Sequence, residues 1–100
     1  MDNITLIGMP GSGKSTVGVL LAKGLGFRFL DTDLLIQEQE GCLLKDIIAR
    51  EGAEGFSRIE NQVNAQVQAR CTVIAPGGSV VYCPEAMNHF KESGLVVYLR

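Results

Sequence analysis

The chain has 100 residues, which is enough for one domain or for part of one. Hydrophobic residues make up 46% of the chain and charged residues 20%, so it can form a core and is not a disordered or low-complexity sequence. The net charge is −2, and the scattered Lys and Arg residues form no basic stripe for nucleic acid. No apolar run approaches the ~18 residues of a membrane span, and the N-terminus lacks a secretory signal. We therefore expect a cytoplasmic protein without a nucleic-acid or membrane partner.

The cysteines and the single histidine indicate neither disulfides nor a metal site. Cys42, Cys71 and Cys83 are odd in number and far apart, and they lack zinc-ligand spacing. We expect them to be reduced thiols without a function. His89 lies in a polar stretch with no metal partner in the sequence, so we expect it on the surface.

The hydrophobic pattern predicts four strands that alternate with helices. In chain order the predicted elements are strand 3–8, helix 14–23, strand 27–30, helices 34–40, 43–50 and 53–70, strand 72–75, helix 84–93 and strand 95–99. Gly24, Gly41 and Gly52 mark helix ends, and Pro84 stands at a first helical position, where proline is favoured. Strands that alternate with helices predict a parallel sheet with helices on both faces, which is an α/β fold with three layers.

Helical spacing also predicts which helix faces are buried. The first helix is expected to bury an apolar stripe of Val17, Leu20 and Leu21, and the long helix one of Phe56, Ile59, Val63 and Val67. Glu60 lies away from the second stripe, so a solvated charge is at least as good an interpretation as a functional residue.

A G-x-x-x-x-G-K-S pattern at residues 8–15 stands between the first strand and the first helix, which is the context of a phosphate-binding loop. Its glycines permit backbone angles that other residues avoid, so successive N–H groups can turn inward toward an anion. The following helix adds its positive N-terminal end. In such a loop Lys14 would reach the terminal phosphates and the Ser15 hydroxyl would ligate Mg²⁺. The pattern therefore predicts a nucleotide site.

Polar or glycine-rich stretches also follow the second and third strands. Asp31 and Asp33 are two residues apart in what we expect to be extended chain, so both carboxylates could point to one side. One could hold a water of the Mg²⁺ shell and the other could orient or deprotonate a substrate hydroxyl, although Asp33 could instead only cap a helix that starts at Leu34. Gly77 and Gly78 could let the backbone approach a ligand, or could only form a turn. Because the carboxyl ends of parallel strands share one edge, these stretches favour a site for phosphoryl transfer.

Together these features resemble the shikimate kinase family, and the resemblance extends along the whole chain. The matching segments are G-M-P-G-S-G-K-S-T-V-G at 8–18, F-L-D-T-D at 29–33, G-x-x-L-x-D-I-I at 41–48, G-x-x-x-F-x-x-I-E at 52–60, G-G at 77–78 and V-V-Y-L at 96–99. The phosphate loop alone is shared by many enzymes. Its combination with D-T-D, the F-x-x-I-E helix and the G-G turn is far more specific.

The resemblance implies an ATP-dependent kinase that transfers the γ-phosphate of ATP to the 3-hydroxyl of shikimate, in aromatic amino-acid biosynthesis. The residues that it implies for phosphate binding are Gly11, Ser12, Gly13, Lys14, Ser15 and Thr16. It implies that Ser15 ligates Mg²⁺ and that Asp31 assists the metal through a water. Lys14 and Asp33 are the implied catalytic residues, and Asp33 also binds the shikimate hydroxyls. Substrate contacts through the backbone are implied for Gly77 and Gly78.

Two positions and the length depart from the family's pattern. Ser57 stands where the family has an arginine that pairs with the shikimate carboxylate, and serine cannot make that bidentate contact. Ser79 replaces the third glycine of the family's G-G-G. The chain is shorter than the family's domain, so we expect residues 1–100 to be its kinase core without the mobile lid and last strand, and the full-length protein to be a monomer. A kinase for another small hydroxylated metabolite, or a nucleotide-binding module without catalysis, remains an alternative.

Overall fold

The computed structural model describes residues 2–9 and 12–99. Gly11, one of the predicted phosphate-binding residues, lies outside the described residues. In chain order the elements are β1 (Asn3–Ile7), α1 (Lys14–Leu25), β2 (Arg28–Asp31), α2 (Thr32–Glu40), α3 (Leu44–Ala65), β3 (Thr72–Ala75), a 3₁₀ helix (Gly78–Tyr82), α4 (Pro84–Ser93) and β4 (Gly94–Tyr98). The four predicted strands are all present, with ends that differ from the prediction by one residue or less.

The four strands form one parallel sheet in the order β2-β3-β1-β4. Ile4 of β1 pairs with Val73 of β3, and Asp31 of β2 pairs with Ala75 of β3. Parallel neighbours need long crossover connections, and the helices supply them. The predicted α/β fold with a parallel sheet between helices is confirmed.

The two faces of the sheet carry separate hydrophobic cores, because successive residues of a strand point to opposite faces. Leu6 and Val73 pack with α1. Their chain neighbours Ile7 and Ile74 pack on the other face with the 3₁₀ helix and α4, around the fully buried ring of Phe90. The molecule therefore has the three layers that the sequence predicts.

α1 packs against the sheet through a glycine. Gly18 is buried, and a Cβ added there would lie 2.5 Å from Cε1 of Phe29. The predicted apolar stripe is wrong at Val17 and Leu20, whose side chains are 40% and 65% exposed, and only Leu21 packs against the core. Hydrophobic spacing does not reveal a helix that approaches the sheet through its smallest residues.

α3 is interrupted at Gly52, where the backbone has φ 75° and ψ 172°. A positive φ of this size is readily adopted by glycine, so the predicted boundary between two helices at this residue is confirmed. The helix ends at Ala65, five residues before the predicted end. Val67 is buried as predicted but lies beyond the helix, with its N–H donating to the Asn64 carbonyl at 3.3 Å.

A third core holds α2 against α3 at the end of the sheet where β2 stops. Val63 of α3 is buried there with Ile36 of α2 and Ile47 of α3. Phe56 and Ile59 of the predicted stripe are half-buried and pack against this core. The third core therefore places α3 beside the carboxyl ends of the strands.

We expect the Gly18→Ala variant to be less stable than the parent chain. Its Cβ forces α1 and the Phe29 ring apart, and overpacking of this kind costs about 1–3 kcal/mol. Gly24→Ala is the matched control, because a Cβ at Gly24 meets nothing within 4 Å. The control should gain about 0.5–1 kcal/mol from helix propensity. Urea denaturation measures both, and equal stabilisation by the two variants would contradict this account of the α1–sheet contact.

Candidate active site

Two neighbouring cavities lie at the carboxyl ends of the strands. The first, which we call the loop cavity, has a volume of about 260 Å³ and is lined by Met9, Ser12, Gly13, Lys14, Ser15 and Thr16. The second, which we call the acceptor cavity, has a volume of about 400 Å³ and is lined by Met9, Asp33, Leu44, Ile48, Phe56, Glu60, Gly77, Gly78, Ser79, Val81 and Tyr82. Met9 lines both cavities, so they adjoin. A larger cavity of about 610 Å³ at the amino ends of β2 and β3 contains none of the predicted site residues.

The N-terminus of α1 is left open toward the loop cavity. Gly13 forms the N-cap with a φ of 82°, no side chain caps the helix, and no acidic residue lies in its first turn. The first N–H groups of an α-helix lack partners within the helix, so here they remain available to an anion. The Ser12 hydroxyl is buried nearby and has no hydrogen-bond partner among residues 2–9 and 12–99. An unpartnered hydroxyl beside an uncapped helix fits a bound phosphate group.

Lys14 is held across this loop. Its Nζ donates a hydrogen bond to the carbonyl oxygen of Gly8 at 2.7 Å. The loop is tight at that residue, because a Cβ on Gly8 would lie 2.7 Å from Ser12 Oγ and 3.0 Å from the carbonyl oxygen of Leu99. The packing therefore requires glycine at position 8. The hydrogen bond to the Gly8 carbonyl holds the ammonium group of Lys14 close to the loop.

The expectation that Asp31 and Asp33 both lie in extended chain is right for Asp31 and wrong for Asp33, which lies in α2. Asp31 is the last residue of β2 and also the N-cap of α2, and its Oδ1 accepts a hydrogen bond from the N–H of Asp33 at 2.9 Å. α2 therefore begins at Thr32 rather than at Leu34. Asp31 caps α2, so Asp33 lies in the first helical turn and is not needed as the cap. Asp33 instead lines the acceptor cavity.

The carboxylates of Asp33 and Glu60 both approach Gly77. A Cβ built on Gly77 would lie 2.9 Å from Oε2 of Glu60 and 3.0 Å from Oδ1 of Asp33. Both carboxylates therefore approach the backbone at position 77, where any side chain would collide with them. Glycine at this position is needed for space, which supports the interpretation that Gly77 is more than a turn residue.

Glu60 is the functional candidate that hydrophobic spacing misplaces. Its side chain is only 1% exposed, so the solvated-charge interpretation is wrong. Its Oε1 accepts a hydrogen bond from Ser79 Oγ at 2.6 Å and lies 3.8 Å from the Cys83 thiol. The spacing did carry a signal, because Glu60 follows Phe56 by four residues and precedes Val63 by three, which puts all three on one face of a helix.

The surroundings of Asp33 raise the pKa of its carboxyl group. Burial is the largest cause, and the negative charges of Asp31 and Glu60 act in the same direction. Lys14 acts in the opposite direction. A carboxylate with a raised pKa is a stronger base, and this one lines the acceptor cavity.

The glycine-rich segment after β3 forms a 3₁₀ helix in place of the predicted turn. The N–H of Val80 donates to the carbonyl oxygen of Gly77 at 3.1 Å, and the Val80 side chain is fully buried. That burial anchors the segment, so the backbone of Gly78 and the hydroxyl of Ser79 line the acceptor cavity. Hydrophobic periodicity does not predict this helix, because its apolar residues are too few to show a period.

The position that departs from the family pattern lies on a different face of α3. Ser57 and Arg58 both line another cavity of about 310 Å³, which shares Tyr82 with the acceptor cavity. Among the described residues that line the acceptor cavity, neither Ser57 nor Arg58 is present. Among the described residues that line the acceptor cavity, none is Lys, Arg or His.

The cysteines and His89 are not among the described residues that line the loop cavity or the acceptor cavity. The three cysteines are free thiols, and burial, followed by the charge of Glu60, raises the pKa of the Cys83 thiol. His89 is half-buried with Nε2 2.5 Å from the Val67 carbonyl oxygen, so its predicted surface position is only partly right. Over residues 2–9 and 12–99, His, Cys, Asp and Glu form no group placed to hold a metal, and no helix is long and apolar enough to cross a bilayer.

Comparison with known proteins identifies relatives along the whole chain. The family model for shikimate kinase matches residues 10–100. The chain is 47% identical over 98 residues to a shikimate kinase of Synechococcus sp. (strain RCC307), and 48% identical over 99 residues to one of Moorella thermoacetica. These matches cover 97% and 98% of the chain but 50% and 57% of the two relatives. The chain thus spans about half the length of the curated relatives it matches.

Solved structures of shikimate kinases share the fold. The enzyme of Acinetobacter baumannii in complex with shikimate superposes with a TM-score of 0.92 at 37% identity, over 99% of this chain and 56% of that one. The enzyme of Aquifex aeolicus gives 0.84 at 35% identity, over 98% and 59%. Because the family model and these structures agree over nearly all of its residues, the chain belongs to the shikimate kinase family.

Proposed function

We propose that this chain forms the ATP-binding part and much of the acceptor site of a kinase that transfers the γ-phosphate of ATP to the 3-hydroxyl of shikimate. The observation that carries the proposal is that the loop cavity and the acceptor cavity adjoin, with Lys14 and Asp33 on their two sides. Phosphoryl transfer requires that arrangement, because donor phosphate and acceptor hydroxyl must be held in line. Family membership and the shikimate bound to the A. baumannii relative support shikimate as the acceptor.

In this proposal the loop cavity holds the phosphates of ATP. The residues that would bind them are Gly11, Ser12, Gly13, Lys14, Ser15 and Thr16. The N–H groups at the open end of α1 would donate to phosphate oxygens, and the Ser12 hydroxyl would gain the partner it lacks. Lys14 would exchange its contact with the Gly8 carbonyl for one with the terminal phosphates. Mg²⁺, when bound, neutralises phosphate charge, and Ser15 and Asp31 are the residues that would hold it, Asp31 through a water.

Asp33 would act on the acceptor. Its carboxylate is free of ion pairs among the described residues and would accept the proton of the hydroxyl that attacks phosphorus. The raised pKa favours proton uptake at this group. The backbone of Gly77 and Gly78 would contact the acceptor where a side chain would fill the space.

A second candidate is a kinase for another small hydroxylated metabolite, and Ser57 favours it. This residue cannot pair with a carboxylate as arginine does, and it lines a different cavity. We keep a nucleotide-binding module without catalysis as a third candidate. The assignment of residues 1–100 to one kinase core, the cytoplasmic location and a monomeric full-length protein stay predictions.

A coupled assay of ADP release, with MgATP and with shikimate present or absent, separates these candidates. Release that depends on shikimate supports the first. Release with a different hydroxylated acceptor but not with shikimate supports the second. Tight MgATP binding without turnover over a panel of small hydroxy acids would contradict both and favour the module.

We expect Lys14→Met to lower acceptor-dependent ADP release at least about 100-fold and to weaken MgATP binding, because the variant removes the charge that meets the phosphates. Lys23→Met is the matched control, since Lys23 is an exposed lysine in the last turn of the same helix. The control should retain both properties. Unchanged nucleotide binding in Lys14→Met would show that the loop cavity is not the phosphate site.

We expect Asp33→Asn to lose about 100-fold in acceptor-dependent ADP release while becoming more stable at neutral pH. The native carboxyl pKa is raised above its ordinary value of 3.8, so the folded state binds the proton more tightly than the unfolded state. The stability contributed by this group therefore falls as pH rises from 3.8 to the raised pKa, and above it the ionised group is a net cost. Asparagine carries no charge, so Asp33→Asn avoids the loss of stability that the ionised carboxylate causes above the raised pKa.

Thermal unfolding measures this effect. The Tm of Asp33→Asn should exceed that of the parent chain at pH 7, and the gain should vanish at about pH 3, where the carboxyl group is protonated in both states. Asp46→Asn, at an exposed position in the first turn of α3, serves as the control and should show neither the gain nor the loss of activity. A lower Tm for Asp33→Asn at pH 7 would show that its carboxylate stabilises the fold.

A further inference from the structure

We propose that Ser79 is a positioning residue for the acceptor, because its hydroxyl holds one oxygen of the Glu60 carboxylate and thereby directs the other oxygen toward Gly77 and the acceptor cavity. Ser79 replaces the third glycine of the family's G-G-G, so this hydroxyl departs from the family pattern. The inference rests on the proposed function, since it concerns the cavity where the acceptor would bind. It adds to that site a side chain that acts through Glu60.

The hydroxyl of Ser79 makes a close contact with a buried carboxylate. Its Oγ donates a hydrogen bond to Oε1 of Glu60 at 2.6 Å, across 19 positions of the sequence. The side chain of Glu60 is only 1% exposed, and a carboxylate removed from water needs hydrogen-bond donors inside the protein. A hydroxyl that donates to an ionised carboxylate at this distance forms a charge-assisted bond, which is stronger than a bond between neutral groups.

This bond determines where the second oxygen of Glu60 lies. The thiol of Cys83 lies 3.8 Å from the same Oε1, so both neighbours hold the oxygen on the side of the 3₁₀ helix. The terminal torsion of a glutamate side chain is broad, and a contact that holds one oxygen therefore fixes the direction of the other. Oε2 lies 2.9 Å from the point where a Cβ of Gly77 would stand. It is thus directed at backbone that lines the acceptor cavity.

The 3₁₀ helix does not need the hydroxyl of Ser79 for its own structure. Gly77 is its N-cap, and no side chain caps it. The N–H of Val80 donates to the Gly77 carbonyl at 3.1 Å, and the N–H of Cys83 donates to the Val80 carbonyl at 2.8 Å. The Val80 side chain is fully buried and anchors the segment. Loss of the hydroxyl should therefore change the orientation of the Glu60 carboxylate more than the fold of the segment.

The contact also holds Glu60 close to a like charge. Oδ1 of Asp33 lies 3.0 Å from the same Cβ position of Gly77 that Oε2 of Glu60 approaches. Two carboxylates in a partly desolvated space repel each other more strongly than in water, so each favours an orientation away from the other. The hydrogen bond from Ser79 opposes that separation. Both carboxylates then remain in the lining of the acceptor cavity, where they can accept hydrogen bonds from the hydroxyls of one acceptor.

The coupled assay of ADP release on the full chain tests this role, with shikimate and MgATP varied separately. We expect Ser79→Ala to raise the KM for shikimate about tenfold, as the loss of one hydrogen bond to the acceptor predicts, and to leave the KM for MgATP unchanged. Ser93→Ala is the matched control. It removes a hydroxyl that donates to the Phe90 carbonyl at the end of α4, outside the described lining of both cavities, and should change neither KM.

Ser79→Thr separates positioning from a role in the fold. It keeps the hydroxyl at an exposed position and should restore the KM for shikimate of the parent chain. A residue that served only the fold would lower the Tm of Ser79→Ala without a selective rise in the KM for shikimate. That result, or a Ser79→Ala chain that does not fold, would overturn the inference and leave the proposed function standing. A parent chain without shikimate-dependent release would overturn the proposed function, and the inference with it.

Discussion

The acceptor side of this molecule depends on two carboxylates that approach one glycine. Asp33 and Glu60 come from different helices, and both lie about 3 Å from the point where a Cβ of Gly77 would stand. The parallel register of β2 and β3 brings the start of α2 beside Gly77, and the third core holds α3 against α2. The approach of Asp33 and Glu60 to Gly77 therefore depends on the sheet, on both helices and on the glycine itself.

The two halves of the site differ in how they are built. The loop cavity uses backbone: an uncapped helix, a glycine in the left-handed region at position 13 and a lysine folded over the loop. The acceptor cavity uses the side chains of Asp33 and Glu60, which have no ion-pair partner among the described residues. Burial of that kind costs stability, as the raised pKa of Asp33 indicates, and such costs are typical of functional sites.

The fold could be predicted from the sequence, and so could the loop that lines the loop cavity, because both follow from local patterns. Strand–helix alternation and G-x-x-x-x-G-K-S need no knowledge of distant contacts. The prediction failed where tertiary packing determines the structure. Gly18, rather than an apolar stripe, brings α1 to the sheet. Glu60 was expected outside the buried face of α3 because it is charged, although its spacing from Phe56 and Val63 puts it on that face. From the sequence, Asp33 could cap a helix that starts at Leu34, whereas the helix starts at Thr32 and its cap is Asp31.

The claim that the two cavities act together as one donor–acceptor site can be tested by NMR on the isotope-labelled chain. A non-hydrolysable ATP analogue with Mg²⁺ is added first, and shikimate follows. Our account predicts that the amides of residues 12–16 shift with the nucleotide, and that those of Asp33, Gly77 and Gly78 shift with the acceptor. Acceptor shifts confined to the cavity at the amino ends of the strands, around Arg28 and Cys71, would contradict it.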